Sequence, residues 1–116
     1  FSLFQVVKKV DSGNIFLRTK LKLNGTELYD ELRKKQAETI LNLIKKFLFK
    51  YPLIKSSVQS GKTNYNKRRY PRDSELDINK NIKSQFNLMR VSDNEKFPIF
   101  FYHKSVKYIL KIFKDL

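Results

Sequence analysis

Residues 56–72 read SSVQSGKTNYNKRRYPR. Ser60-Gly61-Lys62-Thr63 looks like the end of a phosphate-binding loop, in which backbone amides and a lysine hold nucleotide phosphates. That loop needs a glycine five residues before Gly61, and the position holds Ser56. It also needs a helix directly after it, whose N-terminus aims amides at the phosphates. Asn64, Asn66 and Pro71 argue for open chain instead, and no apolar strand ends in a metal-binding aspartate. The NTPase reading is set aside, and Lys62 reads as one more cation.

The cations carry a second chemistry. From Pro52 to Arg72 the chain has Lys55, Lys62, Lys67, Arg68, Arg69 and Arg72 and no acid, with Tyr65 and Tyr70 interleaved. Guanidinium forks match phosphate oxygens, ammonium groups add charge, and tyrosine rings stack on unpaired bases. These eight residues are the expected nucleic-acid contacts. Charge alone does not separate RNA from DNA.

Other reactive side chains are sparse. Asp73, Glu75 and Asp77 alternate but lack the glycine and distant glutamate of a calcium loop. They read as turn caps or arginine partners. His103 has no His or Cys at metal spacing and no general-acid partner, so it reads as a turn or cap residue. The absence of cysteine excludes disulfides, thiol catalysis and cysteine–metal sites. With no nucleophile–base pair, the expectation is a protein that is not an enzyme. It has no catalytic residue, metal, cofactor or small-molecule substrate. Phe97, Phe100, Phe101 and Tyr102 read as the packing of a hairpin, and the RRM signature is absent.

Composition frames these residues. The 116 residues suit one domain, 1–116, of modest stability. Lys and Arg number 25 against 11 acids, a net charge of +14. Such a surface attracts polyanions, nucleic acid first, then anionic membrane and acidic protein. No apolar run approaches the ~20 residues of a membrane span, and no membrane partner is expected. Phe, Tyr, Met, Ile, Asn and Lys outnumber Gly, Ala, Arg and Pro 54 to 13, as in an AT-rich genome. Phe1 in place of methionine is the expectation for a trimmed leader or a preceding arm.

The elements that would position these residues follow from pattern. FSLFQVVKKV is apolar and β-branched, and Asp11-Ser12-Gly13-Asn14 is a turn by composition. Over 15–23, Ile15, Leu17, Thr19, Leu21 and Leu23 alternate with Phe16, Arg18, Lys20 and Lys22. That predicts a half-buried strand with a basic outer face, a second nucleic-acid surface at Arg18, Lys20 and Lys22. A helix is predicted over 26–50, capped by Thr26 and stopped by Pro52. Leu28, Leu32, Ile40, Ile44 and Leu48 share its core face, joined by Ala37, Leu41 and Phe47. Pro52–Val58 reads as a short strand. Residues 60–84 read as a long basic loop or insertion, with a helical turn near 74–84. Phe86–Val91 and Pro98–Tyr102 read as strands of a hairpin. In HKSVKYILKIFKDL, Lys104, Lys107, Lys111 and Lys114 lie opposite Val106, Ile109, Leu110 and Phe113, which predicts a terminal helix.

This order resembles a family, the thioredoxin-like mitochondrial ribosomal proteins, which also includes an accessory subunit of respiratory complex I. The resemblance lies in Ser12-Gly13-Asn14-Ile15 leading into LRTKLKLNG, the long helix TELYDELRKKQAETILNLIKKFLFK, Tyr51-Pro52 before LIKSSV, and the closing hairpin and helix. It covers about 15–59 and 86–116, and the small-subunit member is nearest. Residues 60–84 depart from the plan as an insertion, and the small serine- or glycine-rich turn after the first strand is missing. The resemblance implies an α/β, thioredoxin-like fold: a mixed central sheet of about four strands in β-α-β-β-β-α order, an extra N-terminal strand and two main helices. It also implies a structural RNA-binding component of a mitochondrial ribosome, with rRNA and neighbouring ribosomal proteins as partners. The location would be the mitochondrial matrix, or the cytoplasm in a bacterium. The alternatives are an accessory subunit of an assembly such as complex I, and a small DNA-binding regulator.

Overall fold

The computed structural model describes residues 1–62 and 64–115. Thr63 of the phosphate-loop stretch and Leu116 of the predicted terminal helix lie outside the described residues. The fold is a small α/β arrangement with two α-helices and two antiparallel two-stranded sheets. The chain divides into two compact units. One comprises residues 1–22 and 34–65, the other 23–33 and 66–116.

In the first unit, β1 (Ser2–Phe4) pairs with β2 (Ile15–Arg18). The predicted strand over 15–23 stops at Arg18, because a strand persists only while a neighbour satisfies its backbone. The last exchange joins Phe1 to Thr19, so Lys20 and Lys22 lie on irregular chain. The predicted strand at 52–58 reduces to one bridge. Ile15 and Ser57 exchange both backbone hydrogen bonds at 2.8 Å.

Helix α1 (Tyr29–Lys50) begins in the second unit and continues in the first. It starts later than 26, and Thr26 is not its cap. Asn24 Oδ1 takes the Thr26 amide and hydroxyl, while the Glu27 carboxylate takes the amides of Asn24 and Gly25. The Leu28 amide donates to Glu31, half of a capping box. Leu43 is the buried residue of the helix, and Phe47 meets the Phe16 ring edge-on at 5.2 Å. Ile40, Ile44 and Leu48, expected in the core, are exposed.

In the second unit, a 3₁₀ turn (Pro71–Ser74) and α2 (Ile82–Arg90) occupy part of the predicted loop and all but the end of the predicted strand 86–91. Asn81 caps α2 by accepting the Ser84 amide. Gln85 ties the first turn to Asp77 through both its amide oxygen and its amide nitrogen. The apolar residues of the expected strand 86–91 therefore lie, but for Val91, on a helix.

The hairpin also differs from expectation. It joins β3 (Ile99–His103) to β4 (Val106–Leu110), in register from Ile99–Leu110 to His103–Val106. No terminal helix forms over 106–110. Lys104 and Ser105 both take positive φ, 48° and 64°, the geometry of a two-residue turn whose twist suits a hairpin. Lysine and serine are not the usual residues of such a turn, so its signal was hidden. The side-chain amide of Asn94 pairs with the backbone of Ile112 at 2.8 and 3.0 Å, extending the ordered segment beyond β4. Ile99 and Phe100 form the core here, and Glu75 bridges Phe100 in parallel. The mixed central sheet of about four strands is thus replaced by two separate antiparallel pairs.

Candidate functional site

Each unit holds one feature that packing alone does not require. In the first it is the turn between β1 and β2. Asp11 takes φ 54°, the left-handed region. The other two non-glycine residues with positive φ, Lys104 and Ser105, are accounted for by hairpin twist. Asp11 lies in the turn that joins the paired strands, and aspartate is among the few non-glycine residues that adopt this conformation readily. Its conformation is held from outside: the Gln59 amide donates to Asp11 O at 2.9 Å and to Gly13 O at 2.6 Å. Ser12 Oγ donates to Lys9 O, and the Gln5 amide donates to Asn14 O. Gly13 is obligatory, because a Cβ there would lie 1.7 Å from Gln5 O. The result is an exposed carboxylate on a fixed turn. Reading the sequence found the turn but assigned Asp11 no chemistry.

In the second unit, Lys67, Arg68, Arg69, Tyr70, Arg72 and Asp73 line an open depression of about 660 Å³. The guanidinium carbons of Arg68 and Arg72 lie 5.7 and 5.3 Å from the Tyr70 ring centre, within cation–π range. Asp73 Oδ2 accepts the Tyr70 amide at 2.7 Å. Arg69 Nη2 donates to the buried hydroxyls of Ser74 and Ser92, each at 3.0 Å. Among the described residues, none of the four cations is ion-paired with a carboxylate. Four cations against the one carboxylate of Asp73 leave the depression net positive, which attracts an anion.

The other predicted contacts are dispersed through the first unit. Lys55 and Lys62 are exposed on irregular chain, and Tyr65 is 91% exposed. Arg18 ends β2, while Lys20 borders a cavity of about 150 Å³ with Thr19, Thr39, Asn42, Leu43 and Lys46. Gly61 has φ 116° in open space, and among the described residues no helix directly follows it. Phe100 is buried in the hairpin core with the Lys107 ammonium 3.9 Å above its ring, and Phe101 stacks on Tyr108.

No family model matches this sequence, and no curated protein matches it. Its fold does match solved structures. A methionyl-tRNA formyltransferase from Clostridium thermocellum superposes with a TM-score of 0.65 at 22% identity, over 96% of this chain and 48% of its own. A protein from Mycobacterium tuberculosis, described as a candidate sugar N-formyltransferase, superposes with a TM-score of 0.68 at 15% identity. That match covers 99% of this chain and 53% of its own. The chain shares the fold of part of these formyltransferases and spans about half their length. The resemblance to thioredoxin-like mitochondrial ribosomal proteins is overturned, and with it the reading as a structural rRNA-binding component of a ribosome. Strand–helix–hairpin order is too coarse to separate the two folds, and the last two elements of that order were misassigned.

Proposed function

We propose that this protein belongs to an enzyme that transfers a formyl group to a primary amine. The observation that carries the reading is the fold, shared over nearly the whole chain with two formyltransferases. In such a transfer the amine nitrogen attacks the formyl carbon. A new C–N bond forms and the bond between donor and formyl group breaks. One amine proton ends on the donor atom that leaves. A positioned carboxylate serves this chemistry as the base that accepts the proton and passes it on. Asp11 is the group we assign to it, because its turn is fixed by Gln59 and by Gly13 and its side chain is exposed.

The acceptor carries phosphate. Support comes from the depression over Lys67–Asp73, where four cations outnumber one carboxylate. Arg68 and Arg72 would contact phosphate oxygens, with Tyr70 keeping both guanidiniums in place. The acid named in one neighbour's title, a tRNA, is such an acceptor, and a phosphorylated amino sugar is another.

The test is N-formylation by the protein purified as its own cells make it. A formyl donor is supplied with methionyl-tRNA or with phosphorylated amino sugars, and the acceptor is weighed by mass spectrometry. A gain of one formyl group on the amine supports the reading, and the acceptor that gains it identifies the substrate class. A folded protein that leaves every acceptor unchanged defeats it.

A further inference from the structure

Of the nine asparagines, Asn24 alone is followed by glycine. An asparagine side-chain amide can be attacked by the backbone nitrogen of the next residue. A glycine there has no Cβ to keep that nitrogen away.

The loop before α1 acts on both partners of this attack. The Gly25 N–H donates to Glu27 Oε2 at 3.0 Å, and the Asn24 N–H donates to Oε1 at 3.0 Å. A carboxylate within hydrogen-bond reach of the attacking N–H is placed as its general base. Glu27 is only 2% exposed, so water screens it little. On the other side, Asn24 Oδ1 accepts the Thr26 amide at 2.9 Å and the Thr26 hydroxyl at 2.8 Å. Donors on a carbonyl oxygen make its carbon easier to attack and stabilise the oxyanion that forms. The turn itself needs only the Thr26 amide on Oδ1. The hydroxyl and the carboxylate go beyond that need. Asn24 is exposed, and Gly25, at φ 91°, has open space where a Cβ would stand. Ammonia can leave and water can enter.

We propose that Asn24 is a self-modification site, where the chain converts its own asparagine to aspartate and isoaspartate. Glu27 takes the proton of the Gly25 N–H as that nitrogen attacks Asn24 Cγ. A bond forms between Gly25 N and Asn24 Cγ. The bond from Cγ to Nδ2 breaks, and Nδ2 leaves as ammonia with the proton that Glu27 held. The product is a cyclic succinimide. Water opens the ring at one carbonyl or the other, leaving aspartate or isoaspartate at 24. In isoaspartate the Cβ runs in the main chain, so the amides of residues 24 and 25 lose their fit to the two Glu27 oxygens. Glu27, 3.9 Å from Arg90, is then held less firmly. All these residues belong to one compact unit, and nothing in the inference depends on formyl transfer.

The test follows Asn24 by peptide mass spectrometry in protein purified as its own cells make it and kept in warm neutral buffer. Asn24 should exchange its amide for an acid ahead of the other asparagines, giving a mixture of aspartate and isoaspartate. Glu27→Gln removes the base but also changes the partner of Arg90, so it can unfold the loop. Thr26→Val decides instead, since Thr26 is exposed and the change removes only its hydroxyl. Conversion should slow about fivefold, the effect of losing one neutral hydrogen bond. The chain unfolded in urea should also convert more slowly than the folded one. Three results overturn the proposal: Asn24 intact while exposed Asn64 converts, a Thr26→Val rate equal to the parent's, or an unfolded chain that converts as fast as the folded one.

Discussion

Arg69 and Ser92, 23 residues apart in sequence, are joined by a 3.0 Å hydrogen bond from the guanidinium to a hydroxyl only 2% exposed. The same Nη2 reaches Ser74, which is fully buried. Each serine then donates onward, Ser74 to Phe97 O and Ser92 to Leu88 O. Arg69 thus anchors the basic segment, while Arg68 and Arg72 flank Tyr70. Replacing Arg69 with alanine removes the donor to both hydroxyls. The cost expected from leaving buried polar groups short of a partner is about 1–3 kcal/mol, measured by urea denaturation. Arg69→Lys should recover little of it, because an ammonium lacks the planar fork.

Arg68→Ala with Arg72→Ala tests the depression. Affinity for a polyanion such as tRNA should fall and its salt dependence should flatten. The control is Lys8→Ala with Lys9→Ala, which lowers net charge equally in the other unit. Equal losses in the two double variants would mean that overall charge, not this cluster, attracts the anion. Filter binding across a salt series reads both.

Asp11→Asn should lower formyl transfer by about a hundredfold or more, the range for removal of a general base. Stability should hardly move, since Gln59 grips the backbone oxygen of Asp11 and not its carboxylate. Gly13→Ala should lower stability and, by moving the turn that carries Asp11, activity as well. Its Cβ would lie 1.7 Å from Gln5 O, so the turn must shift, at a cost on the order of 3 kcal/mol in thermal or urea unfolding.

Glu27 and Arg90 form a largely buried ion pair at 3.9 Å, and Glu27 also takes the amides of Asn24 and Gly25. Glu27→Ala leaves Arg90 without that carboxylate. Breaking a buried pair on one side costs about 3–5 kcal/mol. If unfolding shows a loss well below that, the pair is more hydrated than its exposure implies.

Two carboxylates make the second unit sensitive to acid. The hydrogen bond from Lys114, then that from the Leu28 amide, holds Glu31 below its ordinary value of 4.5. The amides of Lys96 and then Glu95 hold Asp93 below 3.8. A carboxylate with a lowered pKa in the folded state stabilises the protein above its unfolded pKa, and that contribution disappears as pH falls through the folded value. Acid should therefore loosen the start of α1 and the 93–97 turn below about pH 4.5, with no matching change between pH 6 and 8 from these two groups. Amide hydrogen exchange at Leu28, Glu95 and Lys96 along a pH series measures this. Glu31 is exposed and Asp93 half-buried, so high salt should shrink the effect most at Glu31.

The sequence by itself determined the elements whose signals are local. A long amphipathic helix, read as 26–50 and found at Tyr29–Lys50, the turn at 11–14 and a basic, acid-free segment through 67–72 could all be read from spacing and composition. It did not determine whether Phe86–Val91 and Val106–Leu110 were strand or helix, because short apolar runs fit both periods. Asn81 and Gln85 fixed the first as helix, and pairing with β3 fixed the second as strand. Nor could it show that the turn at Asp11 is tied to Gln59, 48 residues away. The apolar stripe of α1 is the clearest division between the two. Residue periodicity establishes that the stripe exists, but whether it is covered depends on which other surfaces reach it, and only the tertiary structure shows Leu43 inside and Ile44 in water.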